Sequence, residues 1–282
     1  MIIVRNKAEL MPILVKEREN GKIIGFVPTM GALHQGHISL IQKSLKHSDF
    51  TVCSIFVNPT QFNDKSDLER YPRMPEKDAA MLENAGCHLL YMPDVADIYP
   101  EPDTRVFDFG HLDKILDGAH RPGHFNGVGQ VVSRLFDIVK PDKSFFGLKD
   151  YQQVQIIKKL CEILHYKIEV IPCPILREED GLAMSSRNML LSAEERKAAS
   201  LIPQLMQEAK SRLQNNEPIE SVKSFVLNSF SKNPIYKPDY FEVCDANTLL
   251  PLNSLTIKGP SIILIACFVG KIRLIDNLVI NS

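Results

Sequence analysis

The sequence predicts an α/β protein: a parallel sheet covered by helices, followed by a smaller α+β domain. Three observations carry this. Short apolar runs alternate with helical patterns over the first 175 residues, the order of elements that builds a parallel sheet with both faces covered. Near residue 176 the texture changes to longer charged amphipathic stretches. Hydrophobic residues form 44% and charged residues 24% of the 282-residue chain, an ordinary globular balance with enough apolar content for a sizeable core.

The elements follow in order. The run KIIGFVPT (22–29) predicts a strand and 36–48 a helix. The β-branched run TVCSIFVN (51–58) predicts the next strand, followed by a helix over 75–86 that stops near Gly86. CHLLYMP (87–93) reads as a strand, 124–140 as a helix by periodicity, KSFFG (143–147) as a strand and 151–165 as a helix. KIEVIPCPIL (167–176) closes the series, so the domains divide as 1–175 and 176–282. In the second, 192–214 predicts one long helix opened by a Ser192/Glu195 capping box. A helix near 217–231 and strands at 239–245, 261–269 and 271–280 complete it.

Composition narrows the function classes. A formal net charge of -1 gives no global electrostatic case for nucleic acid or an anionic membrane. The six cysteines lack C-x-x-C spacing and lie mostly in apolar runs, as expected of buried free thiols in a reducing cytoplasm. The N-terminal residues carry too many charges for a signal peptide, and the longest apolar run, SIILIACFVG, is too short to span a bilayer.

The chemistry concentrates in FVPTMGALHQGHISL (26–40). A strand delivers its carboxyl end into a loop, and a helix begins near Gly36, so His34 and His37 stand at a helix N-terminus. Unpaired backbone N–H groups and the helix dipole attract anions there. Imidazoles add directional donors for a phosphorus centre that gains charge during reaction. Helix capping and metal ligation are the competing readings, although no third metal ligand is apparent. No Walker loop is present, and GVGQVV (127–132) lacks the third glycine of a dinucleotide fingerprint. MSSRN (184–188), after the turn REEDGLA, offers two hydroxyls and an arginine as a phosphate-seeking loop.

PTMGALHQGH, FVNPTQF, RPGHFNGV, FFGLKDYQQ, REEDGLAMSSRN and FVGKIRLIDN, in this order from about residue 23 to 279, resemble the pantothenate synthetase (pantoate–β-alanine ligase) family. The first and fifth resemble the HIGH and KMSKS elements of the wider nucleotidylyltransferase superfamily. The resemblance implies a Rossmann-like domain with a smaller lid domain, a homodimer, and ATP and Mg2+ as requirements. It implies condensation of (R)-pantoate with β-alanine to pantothenate, AMP and pyrophosphate through pantoyl adenylate, a step towards coenzyme A.

Carried over residue by residue, the resemblance assigns the ATP phosphates to Met30, Gly31, Ala32, Leu33, His34, Gln35, Gly36 and His37. His37, with His34 in support, takes a proton-donor role, for which electrostatic stabilisation is the better physical account. Gly147, Leu148, Lys149 and Asp150 form a further nucleotide stretch; Lys149 supplies a point charge, and Asp150 also fits a plain helix cap. Leu176 meets adenine through its backbone, and Met184, Ser185, Ser186 and Arg187 match the closing loop. Gln61 and Gln153 fall at pantoate positions, with Asn58 and His124 in the same pocket. Gln153 also has capping-box spacing from Asp150. Neutral amides orient the acid without quenching its attack, as a bidentate arginine would. Tyr71, Arg73 and Asp78 lie in a similar stretch without assignable roles. No protein ligand to magnesium is named, because the phosphates would hold the ion.

Two other readings share parts of this pattern. A nucleotidylyltransferase acting on a phosphate ester would keep the histidines and serine loop, but not the glutamines and FVNPTQF. A non-catalytic nucleotide-binding module would have no need of Lys149 beside both histidines.

Overall fold

The computed structural model describes residues 1–62, 65–255 and 259–281. They form two compact units, one of residues 1–148 and 153–174, the other of residues 149–152 and 175–282.

The first unit is built on a six-stranded parallel sheet of order β1-β4-β3-β2-β5-β6. The chain opens with β1 (Ile2–Val4) and α1 (Lys7–Glu19), two elements that the sequence did not announce. β2 (Ile24–Thr29), α2 (Gln35–His47) and β3 (Phe50–Ile55) follow. β3 ends three residues before the predicted limit, because Asn58 caps a 3-10 turn over Pro59–Gln61. Next come α3 (Lys65–Arg70), α4 (Pro75–Asn84), β4 (Leu89–Tyr91) and the single turns α5 (Val95–Ile98) and α6 (Asp117–His120). α7 (His124–Val139), β5 (Lys143–Gly147), α8 (Tyr151–Ile163) and β6 (Glu169–Cys173) complete the series.

The central strands are buried on both faces, which explains why they read as mostly apolar runs. Neighbours along a strand point to opposite faces. Phe26, Val52, Leu89 and Phe146 therefore join Leu10, Leu14, Phe136 and Leu160 in one core. Val27, Cys53, Leu90 and Phe145 join Ile41, Leu82 and Cys173 in the other. Burying each large side chain contributes about 1.5–3 kcal/mol.

The second unit holds α9 (Ala193–Ala199), α10 (Leu201–Gln214), α11 (Ile219–Ser231) and the antiparallel sheet β7 (Tyr236–Asp245), β8 (Ser261–Val269) and β9 (Ile272–Asn281). Its core joins Met206, Ala209 and Leu213 of α10 and Val222, Val226 and Phe230 of α11 to Phe241, Val243, Ile263 and Ile265 of the sheet. The capping box of Ser192 and Glu195 forms, but the single helix expected over 192–214 is two. Pro203 has no N–H for the carbonyl one turn back, and the Ser200 hydroxyl donates to Lys197 O (2.8 Å) as the chain steps between α9 and α10. No helix among the described residues is long and apolar enough to cross a membrane.

Candidate active site

The strand order fixes where a ligand binds. The chain runs from β2 to β3 and β4 on one side, then crosses back to place β5 on the other side of β2. The crevice beyond the carboxyl ends at such a reversal is the general binding place of open α/β sheets. The loops leaving β2, β3 and β5 open there. They begin at Met30, Phe56 and Leu148.

The loop after β2 is built on a buried carboxylate. Gly31 and Ala32 have φ of +83° and +50°, a conformation costly for alanine by roughly 1–2 kcal/mol. It turns the Ala32 and Leu33 N–H groups onto Asp78, which accepts both at 2.8 Å. A Cβ on Gly31 would lie 3.0 Å from the Asp78 carboxylate. Burial raises the Asp78 carboxyl above its ordinary value, against the pull of the two N–H groups. Asp78, which sequence reasoning left without a role, is the anchor of this loop.

The helix start that follows is already capped. Gly36 N–H donates to His34 Nδ1 (3.1 Å), and His34 N–H donates to His37 Nδ1 (3.3 Å), so the two imidazoles form a capping box. The N–H groups of His37 and Ile38 donate to His34 O. The expected anion site of unpaired backbone N–H groups is therefore corrected: the amides of Ala32, Leu33, His34, Gly36, His37 and Ile38 all have partners within the chain. A ring nitrogen that accepts carries no hydrogen, so each ring bears its hydrogen on Nε2, on the edge away from the cap. The ring centroids lie 4.1 Å apart. The capping reading of the sequence is realised on the Nδ1 edge of both rings. Gln35 is the exposed first residue of α2.

The loop after β3 meets this one. Gln61 Nε2 donates to Met30 Sδ (3.0 Å), and Asn58 Nδ2 donates to Gln61 Oε1 (3.2 Å). His124, at the start of α7, stands 2.8 Å through Nδ1 from Gln61 O. Gln61 thus joins Met30, Asn58 and His124 in one constellation. Asn58, expected to line the pocket, has no exposed surface; it supports Gln61 from beneath. Tyr71 is buried, and Arg73 donates to the carbonyls of Tyr71 and Leu68. Gly147 and Leu148 lie at the end of β5, and Gln153 is on the first turn of α8.

Among the nucleotide-binding expectations, Lys149, Asp150, Leu176, Met184, Ser185, Ser186 and Arg187 belong to the second unit. Lys149 Nζ lies 3.7 Å from Asp150, and Asn277 Nδ2 donates to Lys149 O (3.0 Å). The segment at 176–184 is a hairpin. Met184 N–H donates to Leu176 O (3.0 Å), Glu178 N–H to Leu182 O (2.8 Å), and Gly181 (φ +86°) makes the tip. Ser185 caps the short turn Ser186–Leu190, and Ser186 is buried. Arg177 grips Asp276 at 2.6 and 2.9 Å. Asp276 and Asn277, neighbours on β9, thus fasten the serine hairpin and the Lys149 backbone to one strand, which gives the IDN of FVGKIRLIDN its structural reason. Among the described residues no three His, Cys, Asp or Glu gather as a metal-ligand set.

Comparisons with known proteins place the chain among its relatives. The family model described as Pantoate-beta-alanine ligase matches residues 2–279. A pantothenate synthetase of Porphyromonas gingivalis is 48% identical over 99% of both chains, and one of Bacteroides thetaiotaomicron is 45% identical over 99% of this chain and 98% of its own. The crystal structure of a Thermus thermophilus pantothenate synthetase matches with a TM-score of 0.92 at 39% identity over 100% of both chains. A Francisella tularensis pantoate-beta-alanine ligase, described as complexed with beta-gamma ATP and beta-alanine, matches with a TM-score of 0.84 at 34% identity over 100% of this chain and 98% of its own. The chain belongs to the pantoate-beta-alanine ligase family and is an enzyme of the pantothenate-forming ligase class.

Proposed function

We propose that the enzyme uses ATP to join (R)-pantoate to β-alanine through a pantoyl adenylate. The observation that carries this reading is the histidine capping box at the carboxyl end of β2, which commits both Nδ1 atoms to the backbone and puts the hydrogen of each ring on Nε2. Gln61, bonded to Met30 of the same loop, is the neighbouring group for the acid. The nucleotide and β-alanine named for the Francisella ligase are the substrates that such a site would take.

In the first step a pantoate carboxylate oxygen forms a bond to the α-phosphorus, and the bond from that phosphorus to the bridging oxygen breaks. Pyrophosphate leaves with the electron pair. His37 and His34 donate through Nε2 to the phosphoryl oxygens as charge builds on them, and preorganised donors of this kind are usually the largest catalytic term. Proton transfer is not needed to release pyrophosphate, so the pair acts by charge stabilisation. Lys149 adds a point charge, with Ser185, Ser186 and Arg187 as further phosphate donors. Met30 to His37, Gly147 to Asp150, Leu176 and Met184 complete the nucleotide contacts, and Gln61, Gln153, Asn58 and His124 serve the pantoate side. In the second step the unprotonated amine of β-alanine bonds to the acyl carbon, the bond from that carbon to the oxygen bridging to phosphorus breaks, AMP departs with that oxygen and the electron pair, and the extra proton on nitrogen passes to solvent. The second unit, with its serine hairpin, is read as the lid domain. The same reading makes the enzyme a cytoplasmic homodimer. It assigns magnesium to the phosphates of the nucleotide, and no step here runs through the ion.

The test is an assay with purified protein, ATP, magnesium, pantoate and β-alanine. AMP and pantothenate are expected in equal amounts, with pantoate-dependent exchange of labelled pyrophosphate into ATP when β-alanine is withheld. His37→Ala should lower turnover about 100- to 1,000-fold. Product formed without any such exchange would overturn the adenylate.

A further inference from the structure

We infer that Tyr99 is a positioning residue that holds the Gln61 amide so that it meets substrate as a donor and never as an acceptor. The inference rests on the reading of Gln61 as a pantoate-binding residue.

Two backbone groups with one-way chemistry set the orientation. The Thr60 N–H, which can only donate, faces Asn58 at 3.4 Å, so the atom there is Oδ1. The Gly127 carbonyl, which can only accept, faces the other end at 3.2 Å, so that atom is Nδ2. Asn58 is wholly buried and has one possible orientation. Its Nδ2 also reaches Gln61 at 3.2 Å, which makes the facing atom Oε1. The ligand-facing end of Gln61 is therefore the NH2 group, beside the weakly accepting Met30 sulfur. The backbone of Gln61 is held in the same way. Arg121 Nη1 can only donate, and it lies 3.0 Å from His124 Nε2, so His124 carries its hydrogen on Nδ1 and donates it to Gln61 O at 2.8 Å.

Tyr99 closes the arrangement. Its hydroxyl donates to Asn58 Oδ1 at 3.0 Å, shorter than the Thr60 hydroxyl at 3.2 Å or the Thr60 N–H at 3.4 Å. Burial raises the phenol above its ordinary value, so it stays a donor at working pH. The ring is held without the hydroxyl, by Arg134 at 5.0 Å from its centroid and Phe56 at 6.2 Å. A phenylalanine at this position keeps the packing and loses the strongest hold on Asn58. An NH2 group recognises an acceptor, either the carboxylate of the acid or a hydroxyl oxygen. It orients that group without the full charge that would blunt its attack.

The test compares Tyr99→Phe, Gln61→Ala and Gln61→Glu in steady-state assays, with KM for pantoate and for ATP measured separately and thermal midpoints recorded. Tyr99→Phe should raise the pantoate KM about 3- to 10-fold, the value of one neutral hydrogen bond, with the ATP KM and thermal midpoint as in the parent. Gln61→Glu keeps an acceptor for Asn58 but turns a second acceptor outward, so it should bind pantoate worse than Gln61→Ala. An unchanged pantoate KM in Tyr99→Phe, or an equal rise in the ATP KM, would overturn the positioning role. Pantoate binding by Gln61→Glu as good as that of Gln61→Ala would overturn the donor polarity; if Tyr99→Phe fails to fold, this comparison still decides. A parent-like pantoate KM in Gln61→Ala would instead remove Gln61 from the site, which is a failure of the underlying reading.

Discussion

Asp78 shows how one residue shapes the site without facing the reaction. Its two oxygens accept one N–H each, from residues 46 and 45 positions earlier in the chain. Asn at this position has the right size but only one acceptor, and its NH2 group confronts the second N–H. Asp78→Asn should cost about 1–3 kcal/mol of stability, the penalty of a buried unsatisfied donor. Turnover should fall further, because the loop leads directly to His34. The pH dependence separates this from simple unpacking. Burial raises the folded carboxyl, so in the acid range the native state holds its proton to higher pH than the unfolded chain does. Stability contributed by Asp78 therefore falls as pH rises from the unfolded carboxyl value of about 3.9 through the folded one. Urea unfolding at a series of pH values should show this slope in the parent and lack it in Asp78→Asn; an identical slope in both would assign the effect elsewhere.

The start of α2 joins an observed cap and a proposed donor role on different edges of the same rings. As a cap, His34 satisfies the Gly36 N–H; as a donor, it offers Nε2–H. Asparagine is among the best N-cap residues, and replacing a good cap by alanine costs about 1 kcal/mol. His34→Asn should therefore hold the thermal midpoint of the parent, while His34→Ala lowers it. Both variants should lose about 100-fold or more in turnover, the usual effect of removing one oxyanion donor. Full activity in His34→Asn would reduce the residue to a cap. Glycine at the GVG of α7 is an element-scale matter too. A Cβ on Gly127 would lie 2.5 Å from Thr60 O and 2.9 Å from the Gln61 Cα, and one on Gly129 would lie 2.9 Å from the Phe107 ring. These glycines let the Gln61 turn and a pair of aromatic rings close onto the helix, which has nothing to do with a dinucleotide.

At the scale of the molecule, the sequence revealed the parallel sheet because its central strands are buried on both faces and are mostly apolar runs. It concealed β1, whose Ile2 and Ile3 stay exposed and which pairs with β4, more than eighty residues later. It concealed the break at Ser200, because apolar periodicity continues through it. The groups proposed for the chemistry, His34, His37, Gln61 and the serine loop, were legible as motifs. Their supports at Asp78, Tyr99, Gly127 and Asp276 were not, because support is made by tertiary proximity and leaves no local pattern. The cysteines carry the remaining inference. All six are buried and free, and burial raises every thiol, to about 11 for Cys87, Cys161 and Cys173 and about 12 for Cys244 and Cys267, with Cys53 raised as well. A thiol reagent at pH 8 should find almost none of them in the native protein, because thiolate and access are both lacking. Cys53, Cys87, Cys161 and Cys173 belong to the first unit, and Cys244 and Cys267 to the second. The first unit packs two cores on the faces of one sheet and the second unit has a core of its own, and separate compact units open as separate cooperative blocks. Labelling along a urea gradient, read by mass, should therefore advance in blocks of two and four thiols. A single transition that exposes all six together would show that the two units open as one.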